Sequence, residues 1–315
     1  MRINGPATFV KKVSEQRTSQ RKPVDFPTCD LLYKGAMSTD LSFIKMHGLG
    51  NDFVIVDARR APFFPTAEQV RFLADRRRGI GCDQLIVLEP ARTPDAGAFM
   101  RILNADGSET AACGNATRCV GWLIMNETGN DAAVIETKAG LLRAWKVSDA
   151  VVRVDMGPAG LAPRDLPLSA DCDTLHLPLT EGPLTDPVGV SMGNPHAVFF
   201  VPDAESVDLS ALGPRIERNP LFPERVNVEV AQILAPGRIR MRVWERGAGI
   251  TDACGTGACA TLVAAVRRSL TGRSADVVLD GGVLSIEWRE SDGHVLMSGP
   301  VALSFHGTVP QGSLP

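Results

Sequence analysis

The sequence is written twice, and this constrains its fold more than any other feature. Gly50-Asn51 followed by Phe53-Val54-Ile55-Val56 returns as Gly193-Asn194 followed by Ala197-Val198-Phe199-Phe200-Val201. Ala112-Cys113-Gly114-Asn115 returns as Ala253-Cys254-Gly255-Thr256, Ala139-Gly140 as Gly281-Gly282, and Met156-Gly157-Pro158 as Ser298-Gly299-Pro300. The pairs keep the same order at offsets of 141–143 residues. A repeat this long predicts two homologous domains rather than a solenoid. Each half opens with short β-rich runs: Phe53 to Asp57, Gln84 to Leu88 and Met100 to Asn104, then Val198 to Val201, Val226 to Leu234 and Arg238 to Glu245. Each then turns through a Gly-containing segment into a helix-period stretch, Ala116 to Glu127 and Ala258 to Leu270. Strands return at 134–156 and 277–297. The small apolar residues of the second helix, Ala260 to Ala265, suit burial on all sides by strands curled around it. The expectation is two like α+β domains over 43–158 and 159–300, with the functional site in the cleft between them.

Composition excludes several function classes. With 44% hydrophobic and 22% charged residues in 315, the chain can bury an ordinary core. The net charge of −3 is spread without a basic run, so neither nucleic acid nor a membrane surface is an expected partner. Seven cysteines, an odd number with no apolar leader, predict reduced thiols and a cytoplasmic protein. Residues 1–42 are polar and lack periodicity. They predict a disordered extension, or a stretch upstream of a true start at Met37 or Met46.

The two cysteine turns carry the chemistry. Each stands at the start of a predicted helix, where unpaired N–H groups and the helix dipole favour a thiolate and are expected to lower its pKa. The same N–H groups can hold a carboxylate, and the following glycine permits close approach of a ligand. Buried structural thiols are the ordinary alternative for any one cysteine. A Cys–His hydrolase using His47 or His196 is another. Zinc is not expected, because Cys113/Cys119 and Cys254/Cys259 have the wrong spacing and no nearby histidine. Two equivalent thiols fit a third chemistry, inversion of a stereocentre, with a base on one face of a carbon and an acid on the other. No cofactor motif is present; Gly247-Ala248-Gly249 has no P-loop lysine behind it.

Lys45-Met46-His47-Gly48-Leu49-Gly50-Asn51-Asp52-Phe53, Gly81-Cys82-Asp83-Gln84, Asn104-Ala105-Asp106-Gly107-Ser108-Glu109 and the first cysteine turn resemble the diaminopimelate epimerase family. So do Met192-Gly193-Asn194-Pro195-His196 and the run from Glu245-Arg246-Gly247-Ala248-Gly249 to the second cysteine turn. The resemblance spans Phe43 to the C-terminus. It implies two pseudo-symmetric domains, each a curled, mainly antiparallel sheet around a central helix, with a strand at about 301–310 completing the first. It also implies a homodimer, no cofactor or metal, and interconversion of LL- and meso-2,6-diaminopimelate for lysine and peptidoglycan precursors. Carried over residue by residue, Cys113 would take the proton from the LL isomer and Cys254 deliver one to the opposite face. Gly114-Asn115 and Gly255-Thr256 would hold the reacting carboxylate. Asn51, Gln84, Asn104, Asn194, Asn227, Glu245 and Arg246 match substrate contacts. A bidentate Arg246 would suit the distal carboxylate, and Glu245 an ammonium group.

Other readings share parts of this pattern. Asn51, Asn194 and Asn227 are also ordinary turn formers. His47 and His196 read as residues that orient neighbours, and Cys82, Cys119 and Cys259 as core thiols. A proline or hydroxyproline racemase would use the same two thiols, and a non-catalytic amino-acid binding protein the same pocket. Ile250 and Asp252 depart from the family's pattern beside Cys254, the former standing where Glu is common.

Overall fold

The computed structural model describes residues 40–315, so the extension expected at 1–42 lies, up to residue 39, outside the described residues. The first repeat forms β1 (Asp40–Gly48), β2 (Asn51–Asp57), α1 (Ala67–Ala74), β3 (Gln84–Glu89), β4 (Ala98–Asn104), β5 (Glu109–Thr110), α2 (Gly114–Thr128), β6 (Ala132–Thr137), β7 (Gly140–Ser148) and β8 (Val151–Pro158). A two-stranded ribbon follows, β9 (Thr180–Glu181) with β10 (Leu184–Thr185). The second repeat forms β11 (Val188–Ser191), β12 (Pro195–Phe200), α3 (Leu209–Glu217), β13 (Asn227–Ala235), β14 (Arg238–Glu245), β15 (Gly249–Ile250), α4 (Gly255–Arg267), β16 (Ser274–Leu279), β17 (Gly282–Trp288) and β18 (His294–Pro300). The chain ends on β19 (Ala302–Pro310) and a short 3-10 turn.

Strand pairing repeats as the sequence does. In the first half β2–β3 and β4–β6 are parallel and the other ladders antiparallel; in the second, β12–β13 and β14–β16 are parallel at the equivalent places. β8 pairs with β18, which joins the two halves into one continuous sheet, and β19 returns to pair with β1. Each half curls around one helix. Residues 114–121 of α2 are all buried, as are Ala258 to Ala265 of α4. Strands face each helix on all sides, so small and apolar side chains fill most of these positions, with Asn115, Thr117 and Arg118 the buried polar ones on α2. Around α2 pack Phe53, Ile86, Ile102 and Val152; around α4 pack Val198, Met241, Val277 and Ile286. Helices α1 and α3 instead cover the outer sheet faces, over Val54, Leu85 and Val87 in one half and Phe199, Val228 and Val230 in the other. Gly129 stops α2 in the left-handed conformation, φ 73°, that glycine adopts at helix ends. The predicted α+β fold of two duplicated, mainly antiparallel units is the observed one.

Candidate active site at the two cysteine turns

Both cysteines are N-caps. Cys113 and Cys254 have extended backbones (φ −150° and −116°), and their carbonyls accept the first helical bonds, from Thr117 at 2.9 Å and Ala258 at 3.0 Å. The Sγ of Cys254 accepts from the Gly257 N–H at 3.3 Å and lies 3.6 Å from Oγ1 of Thr256. Cys254 is buried and Cys113 half-buried. The helix starts meet around Met297 of β18. A Cβ on Gly114 would lie 2.7 Å from the Met297 methyl, and one on Gly255 would lie 2.9 Å from its sulfur and 3.2 Å from Oδ1 of Asn115. Glycine after each cysteine lets the two helix ends approach one thioether closely, where a Cβ would have to displace the end of the Met297 side chain.

Most of the expected residues gather here. Asn115 donates from Nδ2 to Oδ1 of Asn51 at 3.1 Å and to the carbonyl of Ala253 at 3.5 Å, so the first cysteine turn touches the second. Asn194 donates to Thr256 at 3.3 Å, and its Oδ1 faces Nε2 of His196 at 3.1 Å. Asn227 bonds the Pro195 carbonyl and accepts from the Arg246 N–H, each at 2.9 Å. Glu245 accepts from the Thr251 hydroxyl. Gln84 and Asn104 pair across the β3–β4 ladder, Nε2 to Oδ1 at 2.9 Å. The residue before Gln84, Asp83, accepts from Nδ2 of Asn51 at 3.0 Å. Arg246 is exposed and its guanidinium bonds the Glu224 carbonyl at 3.0 Å, away from the thiols.

Electrostatics differ from the sequence expectation in one respect. Burial pushes the Cys113 thiol up, opposed by the N–H groups of Ala116 and Asn115 and by the Arg118 charge. Cys254 is pushed further above its ordinary value, by burial and then by the Glu245 and Glu229 carboxylates. The helix starts do favour the thiolates, yet in the closed site loss of water outweighs them, so the pKa values rise rather than fall. Burial likewise raises the Glu245 carboxyl. Cys119 and Cys259 are core thiols pushed up to about 12 by burial.

Three groups were not singled out by sequence reasoning. Glu229 is fully buried and its Oε1 lies 2.6 Å from Nδ1 of His196, behind the α4 start. Arg118 is fully buried on α2, one turn beyond Cys113. Lys45 and Arg76 clasp Asp52, Arg76 at 2.7 Å, and the backbone N–H of Asp52 donates to Asp83 at 3.0 Å. The signal for Glu229 was present: a carboxylate inside the apolar run Val226 to Ala231 needs a buried partner.

The sequence model of the family described as Diaminopimelate epimerase matches residues 43–162 and 188–304. The chain is 60% identical over 273 residues to the diaminopimelate epimerase of Rhodospirillum centenum, covering 87% of this chain and 94% of that one. It is 58% identical to that of Phenylobacterium zucineum, covering 85% and 97%. Among solved structures, a probable proline racemase from Agrobacterium radiobacter superposes with a TM-score of 0.62 at 18% identity, covering 85% of this chain and 92% of that one. A hydroxyproline epimerase from Agrobacterium vitis gives 0.58 at 16% identity over 86% and 91%. At such identities these two share the fold alone. The chain belongs to the diaminopimelate epimerase family.

Proposed function

We propose that this protein interconverts LL- and meso-2,6-diaminopimelate by passing a proton through Cys113 and Cys254 on opposite faces of one α-carbon, without pyridoxal phosphate. The observation that carries this reading is the meeting of two duplicated cysteine-capped helix starts around Met297. In the LL direction the Cys113 thiolate takes the α-proton: the C–H bond breaks and an S–H bond forms. The electron pair left on carbon takes the Cys254 proton from the other face, and the reverse reaction exchanges the roles. The N–H groups of Gly114-Asn115 and Gly255-Thr256 hold the carboxylate beside that carbon, where they stabilise charge spreading into it. Burial that raises the thiol pKa makes each thiolate a stronger base, which suits removal of a weakly acidic α-proton.

Substrate recognition is supported by acceptors that have no partner among the described residues. Oε1 of Gln84 and Oδ1 of Asn115 are buried and unpaired, and Glu245, which pairs with Gly249 of β15, is a further carboxylate acceptor. A substrate with two ammonium groups supplies the missing donors. Asn51, Asn104, Asn194, Asn227 and Arg246 complete the set in this reading, with Arg246 turning inward to the distal carboxylate. A homodimer fits β19, which exposes Leu303 (37%) and Phe305 (48%), and whose second edge pairs with no strand among the described residues. Cytoplasmic residence fits the free thiols of the described residues. The test is incubation with LL-diaminopimelate in deuterated water. Wild type is expected to yield the meso isomer with deuterium at the α-carbon, and C113A and C254A are each expected to lose at least a hundredfold in rate, the typical worth of one acid–base group. No deuterium incorporation by wild type, or full activity in both variants, rejects the reading.

A further inference from the structure

Arg118 is an anomaly in the fold. Its side chain is fully excluded from solvent, its Nε and Nη2 have no hydrogen-bond partner, and no carboxylate pairs with it among the described residues. An isolated buried cation is costly, and an apolar side chain of like volume would fill the same space more cheaply. The guanidinium lies directly behind the two cysteine turns. Nη1 is 3.4 Å from the Met297 sulfur, the same atom that abuts Gly255, while the Met297 methyl abuts Gly114. On its other sides Nη2 would be 2.7 Å from a Cβ on Gly48, and Cζ 3.2 Å from one on Gly299. Glycines at both places leave room for the guanidinium.

The duplication is broken at this position. Arg118 stands five residues after Cys113, and the residue five after Cys254 is Cys259. The titratable groups that face the Arg118 charge are Cys113 and Cys119 on its own helix and Cys259 on the equivalent helix. The surroundings of the two reacting thiols consequently differ. Arg118 lies on the helix that Cys113 caps, whereas Oε1 of Glu229 on β13 would lie 2.8 Å from a Cβ on Gly257, the residue whose N–H bonds the Cys254 sulfur; the Glu245 carboxylate on β14 opposes ionisation of both thiols.

We propose that Arg118 is the buried counter-cation of Cys113, the fixed positive charge that makes Cys113 rather than Cys254 the first thiol to give up its proton. It acts through Cys113 and is a positioning residue, not one that touches substrate. The proposal rests on the two-thiol reading above, but its test needs no substrate. Full-length wild type, R118M, R118Q and R118K are alkylated with iodoacetamide across a pH series, and modification of Cys113 and Cys254 is followed separately by peptide mass spectrometry. In wild type Cys113 is expected to react at lower pH than Cys254. In R118M the Cys113 profile moves up by about one unit, roughly a tenfold slower reaction at neutral pH, with Cys254 changed less than threefold. R118K recovers part of the shift because it restores the charge. R118M is expected to be as thermally stable as wild type, since it removes an unpaired buried charge; if it is not recovered folded, R118Q carries the same comparison. Unmoved Cys113 profiles in folded R118M or R118Q overturn the proposal, as do equal shifts at both thiols. A Cys113 shift in a protein that never exchanges diaminopimelate deuterium would sustain the Arg118 assignment and reject the epimerase reading. Exchange with an unmoved profile would do the reverse.

Discussion

Nδ1 of His196 lies 2.6 Å from Oε1 of Glu229, with both side chains wholly excluded from water. The same imidazole reaches Asn194, Asn194 reaches Thr256, and Thr256 stands beside the Cys254 sulfur. A buried acid–imidazole pair therefore braces the second cysteine turn from behind. Removing one partner of such a pair strands the other without its hydrogen bond, at a cost of about 1–3 kcal/mol. Glu229→Ala is accordingly expected to lose that much in urea denaturation and to weaken epimerisation, whereas Glu229→Gln, which keeps the shape, loses less. Equal stability of Glu229→Ala and wild type would contradict this bracing.

Glycine after Cys254 keeps its neighbours unstrained. A methyl group at Gly255 would press on the Met297 sulfur and on Oδ1 of Asn115, and Asn115 is held in place by Asn51. Gly255→Ala should cost about 1–3 kcal/mol of stability through overpacking. It should also lower kcat/KM at least tenfold, because about 1.4 kcal/mol of misplacement suffices for that factor. Steady-state kinetics on the purified variant decide it, and unchanged kcat/KM would show that the helix ends can part without consequence.

Acid stability has a specific source in the first half. Burial alone would push the Asp52 carboxyl up, but hydrogen bonds from Arg76 and Lys45 hold it far below the ordinary carboxylate value of about 3.9. A group with a depressed folded pKa contributes stability that is fully present above its unfolded pKa and is lost as pH falls through the folded value. Wild type should therefore lose stability progressively below about pH 4, where the unfolded carboxyl begins to bind protons. Asp52→Asn should be less stable at neutral pH by about 2 kcal/mol, a hydrogen bond to a charged group, and show a shallower acid loss. Parallel stability-versus-pH curves for the two proteins would refute the assignment.

Substrate access requires movement. Cys254 is 4% exposed, and a surface depression of about 280 Å³ lined by Trp145, Arg153 and Arg289 includes neither cysteine turn. The described arrangement is closed, so diaminopimelate reaches Cys254 only when the halves part. Small-angle scattering is expected to show a smaller radius of gyration with a non-reacting substrate analogue than without it. The same radius with and without a bound analogue would mean that entry needs no opening of the halves.

The duplicated motifs were enough to locate both cysteines, the helices they cap and the paired strands, because local residue order alone dictates a Gly-bearing turn before a helix-period run. Asn51, Asn115, Asn194 and Thr256 were also legible, since they sit within one or two positions of a repeated turn. Tertiary structure decided the rest. Met297 is 43 residues from Cys254 in sequence, and only the curl of β18 brings it between the helix starts. Glu229 acquires its partner from a parallel strand, and Nε and Nη2 of Arg118 are left without a hydrogen-bond partner among the described residues. Burial also reversed the expected direction of the thiol shifts: the helix starts favour the thiolate, a local effect readable from sequence, but desolvation depends on what closes over the sulfur. Chain order placed a cysteine at the start of each central helix, and the fold set the dielectric and the charges around the two sulfurs.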